Sequence, residues 1–385
     1  MNVDASQAAA DARAALATAR TVVVKVGSNV LTREGPQGVE LNRARVYDLA
    51  ADLTAARLAL PGRRVVLVSS GAVAAGLEAL RQATRPSQLA LLQAAAAVGQ
   101  PRLMAVWHEA FAVRGVAVAQ LLLTRTGFDK RHRYLNIRNC LAELLSHDVL
   151  PITNENDTVA TEEITLGDND YLAAKLAVLA RADALVLLSS VPGVRDEAGR
   201  VLGELASADE VRALVRDGGL RSTLGTGGMG SKADAAAIAG AAGAATVVAA
   251  GGEDGVVSRL LAGEPLGTLI APIAGADPET ARKRWLKLSV KPSGAIRVDA
   301  GAAAALRGAG ASLLAKGCTA VVGAFAAGDS VRIEDHDGAT LATGLSNFSS
   351  DELQRTLGAH SVDIPNILGR PAHAEVVHRD DMVLH

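Results

Sequence analysis

Through the first 270 residues, short runs rich in β-branched side chains alternate with longer stretches of helical patterning. Such alternation points to parallel strands joined by crossover helices, because a tight turn cannot join two parallel strands. The pattern predicts strands at 21–26, 64–68, 116–123, 149–153, 184–188 and 246–250, with helices at 41–60, 87–113, 135–146 and 171–180. Each helix is long enough for a right-handed crossover. The expected fold class is α/β, with a mainly parallel central sheet covered by helices on both faces. The apolar content suits that layout: 49% of residues are hydrophobic, chiefly Ala, Val and Leu, and only 2% are aromatic.

A chain of 385 residues exceeds what one core usually supports, so two domains are expected. After Ile270 come Ala271-Pro272, Gly275-Ala276-Asp277-Pro278 and the basic cluster Arg282-Lys283-Arg284, a linker signature. The expected division is an N-terminal extension over 1–20, a first domain over 21–273, a linker over 274–288 and a second domain over 289–385. That second domain reads as small and β-rich, with strands at 294–298, 320–322, 330–333 and 375–377 and one helix capped by Ser349 or Ser350.

Composition also narrows the function classes. A net charge of -2 gives no global reason to expect nucleic acid, and acids match or exceed bases in the second domain. Cys140 and Cys318 lie far apart without metal-ligand spacing, which fits a reducing cytosol better than a disulfide framework. The first twenty residues carry Asp4, Asp11, Arg13 and Arg20 and lack the order of a signal peptide, so they read as a frayed or helical extension. The uncharged stretch 235–252 is long enough to raise a membrane span. Gly243 divides it, however, into an Ala-rich helical part and a strand, so no membrane association is expected.

Four segments carry chemistry. Val22-Val23-Val24-Lys25-Val26-Gly27-Ser28 puts a lysine near the carboxyl end of an apolar strand, where open parallel sheets bind ligands; an ammonium reaching solvent along its own stem is the plain alternative. Val65 to Gly76 passes from a buried strand through Ser69-Ser70-Gly71 into a small-residue helix, which offers free N–H groups to an anion or simply a serine cap. Asn154-Glu155-Asn156-Asp157 and Gly167-Asp168-Asn169-Asp170 each hang off an apolar run. Either alone reads as a turn, whereas together they supply acceptors for an ammonium group and carboxylates to orient lysines. Finally, Gly225-Thr226-Gly227-Gly228-Met229-Gly230-Ser231-Lys232 leads into a helix. No strand precedes it and Ser231 separates the last glycine from the lysine, so dinucleotide and P-loop readings both fail. A flexible loop delivering a second lysine to a helix N-terminus remains.

Taken in order, these motifs resemble the amino-acid kinase family, in particular the members that phosphorylate the side-chain carboxylate of L-glutamate. Val377-His378-Arg379-Asp380-Asp381-Met382 resembles the close of a PUA domain. The resemblance implies a three-layer αβα sandwich with a PUA-like C-terminal domain, and a cytoplasmic enzyme using ATP and Mg2+ in the first step of proline synthesis. It implies that Lys25 and Lys232 bracket the transferred phosphoryl group with the Gly27 amide beside them, and that Asp170 orients the two lysines. It implies that Ser70 and the Gly71 amide meet glutamate while Asp157 and Asn169 fix its amino-acid end. It places the nucleotide against Lys25, Ser189, Ser190, Thr226, Gly227, Gly228, Met229, Gly230, Ser231 and Lys232, with no protein metal ligand. Ser189-Ser190 depart from the Thr-Asp usual in the family, which removes a carboxylate near the nucleotide. Feedback inhibition by proline, a homo-oligomer and coupling to glutamyl-phosphate reductase are further implications. The competing readings are an aspartate or N-acetylglutamate kinase of the same fold, and an RNA-binding protein acting through the PUA domain.

Overall fold

The computed structural model describes residues 11–36, 38–128, 131–159, 168–216, 228–273, 292–309 and 311–385. Two compact units divide the chain: the first runs to Pro278 except for residues 130–136, and the second includes Glu279 to His385.

The first unit contains β1 (Thr21–Val26), the hairpin β2 (Thr32–Gly35) and β3 (Gly38–Leu41), β4 (Arg64–Ser69), β5 (Val118–Leu123) and β6 (Leu150–Glu155), then β7 (Ala184–Ser189), β8 (Glu204–Leu205), β9 (Ala245–Ala250) and β10 (Thr268–Ile270). Eight of these form one sheet in the order β5-β6-β4-β1-β7-β9-β10-β8. Every pairing in it is parallel except β9 with β10. All six residues of β1 are buried, as expected of a central strand covered on both faces. Val22, Val24 and Val26 share a core with Leu49 and Leu53 of the helix Arg43–Leu58 and with Trp107 of the helix Leu89–Ala112. The helices Asp168–Ala180 and Met229–Ala241 pack on each other and over β1 and β9 respectively, completing the three layers.

Two glycines bring one pair of helices into backbone contact. A Cβ on Gly76, in the helix Ala72–Ala79, would lie 1.7 Å from the Ala95 carbonyl oxygen, and one on Gly99 would lie 1.8 Å from that of Ala72. No other residue fits either position, so the sequence sets how closely that short helix lies on its long neighbour. Among the described residues, Leu89–Ala112 is long and apolar enough to cross a membrane by length and composition. Its Leu103, Trp107 and Phe111 are buried in the core of this unit. The uncharged stretch 235–252 falls on the end of the helix Met229–Ala241 and on β9, with Gly243 at φ +85° between them.

Several elements escaped the sequence pattern. The hairpin β2–β3, β8 and β10 are four residues or shorter, too brief to show a period. The segment before β1 is more than an appendage. It is helical over residues 11–16, Leu16 and Ala19 are buried, and Arg63 donates to the carbonyls of Ala17, Ala19 and Ala56.

In the second unit, β11 (Gly294–Val298), β12 (Leu313–Leu314), β13 (Cys318–Val322), β14 (Ser330–Glu334), β15 (Thr340–Leu345), β16 (Glu375–Val377) and β17 (Met382–Leu384) form a five-stranded sheet, β13-β11-β14-β15-β17, and the pair β12-β16. Ile296, Ile333, Leu341, Phe348 and Leu353 fill its core. Ser349 caps the helix Ser350–Thr356: its hydroxyl accepts from the Glu352 N–H, and the Glu352 carboxylate accepts from the Ser349 N–H. The residues expected as linker lie, from 274 on, outside the described residues.

Candidate active site

Strand register brings the chemical residues to one edge. Lys25 is the penultimate residue of β1 and pairs with Val68 of β4 on one side and Leu187 of β7 on the other. Ser70 follows β4, Asn154 and Glu155 end β6, and Ser189 ends β7, so all four strands present functional groups at their carboxyl ends. Strand order runs outward in both directions from β1, which makes this edge a topological switch point.

Two helix starts complete the cluster. Asp170 lies in the first turn of Asp168–Ala180 and Lys232 in the first turn of Met229–Ala241. Asp170 is fully buried, Lys25 and Lys232 nearly so. Lys25 Nζ stands 2.7 Å from Asp170 Oδ1, and Lys232 Nζ stands 3.2 Å from Oδ2. The Ser231 hydroxyl donates to Oδ2 at 2.7 Å and is also 2.8 Å from the Gly228 carbonyl oxygen. Two ammonium groups therefore share one carboxylate. Burial alone would raise the Asp170 pKa; the charges of Lys25 and then Lys232 outweigh it and hold the carboxyl below its usual range. Burial lowers the Lys232 pKa, Asp170 opposes that shift and Lys25 adds to it.

Gly27 differs from expectation. Its N–H donates to the Leu188 carbonyl at 3.1 Å, so the amide assigned to the phosphoryl group is committed within the sheet. A Cβ at Gly27 would sit 3.6 Å from Lys25 Nζ, an ordinary van der Waals contact.

A second group of side chains lies at the ends of β4 and β6. Asn169 Nδ2 donates to Ser70 Oγ at 2.9 Å and to Asn154 Oδ1 at 3.0 Å, and Asn154 Nδ2 donates to Gln100 Oε1 at 2.8 Å. Gly71 takes φ +107°, a left-handed conformation open to glycine, and caps the helix Ala72–Ala79. Beneath them the Trp107 indole N–H donates to Ser69 Oγ at 2.8 Å. Asp157 lies in the turn after β6. Gln100 and Asn154 were absent from the site residues anticipated from sequence. The Asn-Glu-Asn-Asp cluster signalled Asn154, whereas nothing local signals a glutamine in the middle of a long helix.

Of the residues expected to line a nucleotide, Ser189 accepts from the Val191 N–H at 3.1 Å and Ser190 is exposed at the end of β7. Gly228, Met229, Gly230 and Ser231 form the start of the Lys232 helix. Thr226 and Gly227 lie outside the described residues. The buried Arg45 guanidinium donates to the carbonyls of Gly251 and Glu253 and so holds the segment after β9.

The sequence pattern of the Amino acid kinase family matches residues 20–251, and that of the PUA domain matches residues 294–368. The chain is 42% identical to the glutamate 5-kinase of Vibrio campbellii over 95% of its own length and 96% of that protein's. It is 42% identical to the glutamate 5-kinase of Syntrophotalea carbinolica, over 96% of this chain and 98% of that one. The chain belongs to the glutamate 5-kinase family. It is accordingly a kinase with the amino-acid kinase fold and a C-terminal PUA domain. Among solved structures, a carbamate kinase from Giardia lamblia bound to AMP-PNP matches 66% of this chain and 99% of its own, with a TM-score of 0.48 and 17% identity.

Proposed function

We propose that this enzyme transfers the γ-phosphoryl group of ATP to the side-chain carboxylate of L-glutamate, in the cytoplasm, as the first step of proline synthesis. The convergence of Lys25 and Lys232 on Asp170 carries the reading. A glutamate side chain, with an unperturbed pKa of about 4.3, is already ionised near neutrality and needs no general base. Two repelling anions must instead be aligned and the charge spreading over the phosphoryl oxygens neutralised. Lys25 and Lys232 supply that charge from opposite sides, and Asp170 holds both ammonium groups in place.

In this reading Ser70, Asn169 and Asp157 take the amino acid, and the segment from Gly228 to Lys232 and the end of β7 take the nucleotide. Magnesium carried on the ATP phosphates would supply neutralisation of their charge. Both Asp170 oxygens already face ammonium groups, so that carboxylate is not a metal ligand. Inhibition by proline, a homo-oligomer and transfer of the product to glutamyl-phosphate reductase belong to the same proposal.

The test is a coupled ADP-release assay with glutamate, aspartate and N-acetylglutamate, with hydroxylamine added to trap an acyl phosphate. Glutamate should be preferred and a hydroxamate should form. Losing one charge-stabilising donor costs roughly 3–4 kcal/mol of transition-state stabilisation, so Lys25→Ala or Lys232→Ala should lower turnover about 100- to 1,000-fold. An active Lys25→Ala enzyme, or a preference for another acid, would overturn the assignment.

A further inference from the structure

One backbone N–H fixes the hydrogen-bond polarity of four side chains around the end of β6. The Glu155 N–H is 2.9 Å from Asn154 Oδ1 and 3.3 Å from Asn169 Oδ1. A backbone N–H only donates, so both of those atoms must be oxygens, and the orientation of both amides follows. Asn154 Nδ2 is then a donor, and Gln100 Oε1 receives it at 2.8 Å. Asn169 Nδ2 places its two protons on Asn154 Oδ1 and Ser70 Oγ. Ser70 Oγ is therefore an acceptor toward the protein. Its own proton meets no acceptor among the described residues, although Ser70 is only 8% exposed.

The far end of this relay is anchored. Gln100 stands between Gly99, whose backbone touches the helix Ala72–Ala79, and Pro101, which leaves the Ala97 carbonyl without its usual helical donor. The Gly99 contact ties its place along the helix to the helix that begins beside Ser70.

We propose that Gln100, acting through Asn154 and Asn169, is a positioning residue that fixes Ser70 as a hydrogen-bond donor to a carboxylate oxygen of the amino-acid substrate. The inference rests on the reading of this site as the glutamate pocket. Without the Gln100 acceptor, Asn154 is held only through its Oδ1 and a buried Nδ2 goes unmet, so the amide tilts to find a partner and the displacement passes through Asn169 to the Ser70 hydroxyl. The effect falls on the amino acid and spares the nucleotide, which meets none of these four side chains.

Steady-state kinetics on the full chain test this. Gln100→Leu removes the acceptor, whereas Gln100→Glu keeps one in a half-exposed position. By the usual worth of a hydrogen bond to a charged group, Gln100→Leu should raise the glutamate KM roughly tenfold or more and leave the ATP KM within about twofold, while Gln100→Glu stays within about threefold of the parent. In a Ser70→Ala background, Gln100→Leu should add less than about twofold, because a residue acting through Ser70 then has nothing to position. Gln100→Met, closer in shape, carries the same expectation should the leucine variant not fold. Equal effects on both KM values, a Gln100→Glu enzyme no better than Gln100→Leu, or full additivity with Ser70→Ala would each overturn the proposal. A parent enzyme that does not turn over glutamate removes the underlying reading and the inference with it, and is distinguished by measuring the parent first.

Discussion

Asp170→Asn removes one charge from the centre of the site and almost nothing else. At an effective dielectric of about 20, a unit charge pair about 3 Å apart attracts by roughly 5–6 kcal/mol, and Asp170 makes two such pairs at 2.7 and 3.2 Å. Desolvation offsets much of that, and breaking a buried pair by removing one partner typically costs about 3–5 kcal/mol net. The carboxylate is fully buried, so solvent screening calls for no further discount. For a unit of this size, roughly 2–4 °C per kcal/mol gives a melting temperature about 6–20 °C lower, measured by circular dichroism or scanning calorimetry. Turnover should fall with it, because two ammonium groups left facing each other swing apart.

The pH dependence carries a sign. The Asp170 carboxyl is held below its usual range in the folded state, so its stabilisation is complete above about pH 4 and fades as pH falls through the depressed value. Lys232 acts oppositely: its lowered pKa costs stability at neutral pH, and the cost is relieved as pH rises. Without Asp170 that depression deepens, so the variant should gain more stability than the parent as pH rises toward the unfolded lysine pKa of about 10.4. An Asp170→Asn enzyme melting within about 2 °C of the parent, or keeping full turnover, would refute the account of a shared counterion.

Three further outcomes are expected. Gly99→Ala would put a methyl group 1.8 Å from the Ala72 carbonyl oxygen, so it should destabilise by about 1–3 kcal/mol or more and lower activity by moving the helix that starts beside Ser70; unchanged thermal unfolding would contradict this. Burial, with the charge of Asp299 adding to it, pushes the Cys318 thiol up to about 12, whereas Cys140 is exposed. Iodoacetamide near pH 8 should therefore label Cys140 and spare Cys318 in the native protein, as peptide mass spectrometry would report. Ser349→Ala breaks the capping box and should cost about 1 kcal/mol, read as reduced hydrogen-exchange protection in the helix Ser350–Thr356.

Much of the architecture was legible because the relevant signals are local. Runs such as Val22-Val23-Val24 and Val65-Val66-Leu67-Val68 are apolar without alternation, which marks strands covered on both faces, and the predicted bounds of β1 and β11 coincide with the observed ones. A serine cap at 349 or 350 was equally readable, and the structure assigns it to Ser349. The three-residue β10, and β15 with Gly344 inside it, carry too little periodicity to be seen. Their identity depends on partners brought alongside by the rest of the fold.

The amino-acid sequence alone determined which residue types stand at strand ends and helix starts, and therefore the layered sheet and the names of the candidate lysines and acids. Tertiary structure decided which of them meet. Asp170 lies between Lys25 and Lys232 because β1 falls at the centre of the sheet, with both helix starts over its carboxyl end. The same packing spent the Gly27 amide on Leu188 and brought Gln100 to Asn154. Periodicity is written within a few residues of chain, whereas hydrogen bonds and ion pairs between distant segments follow from strand order and helix packing, which no local pattern records.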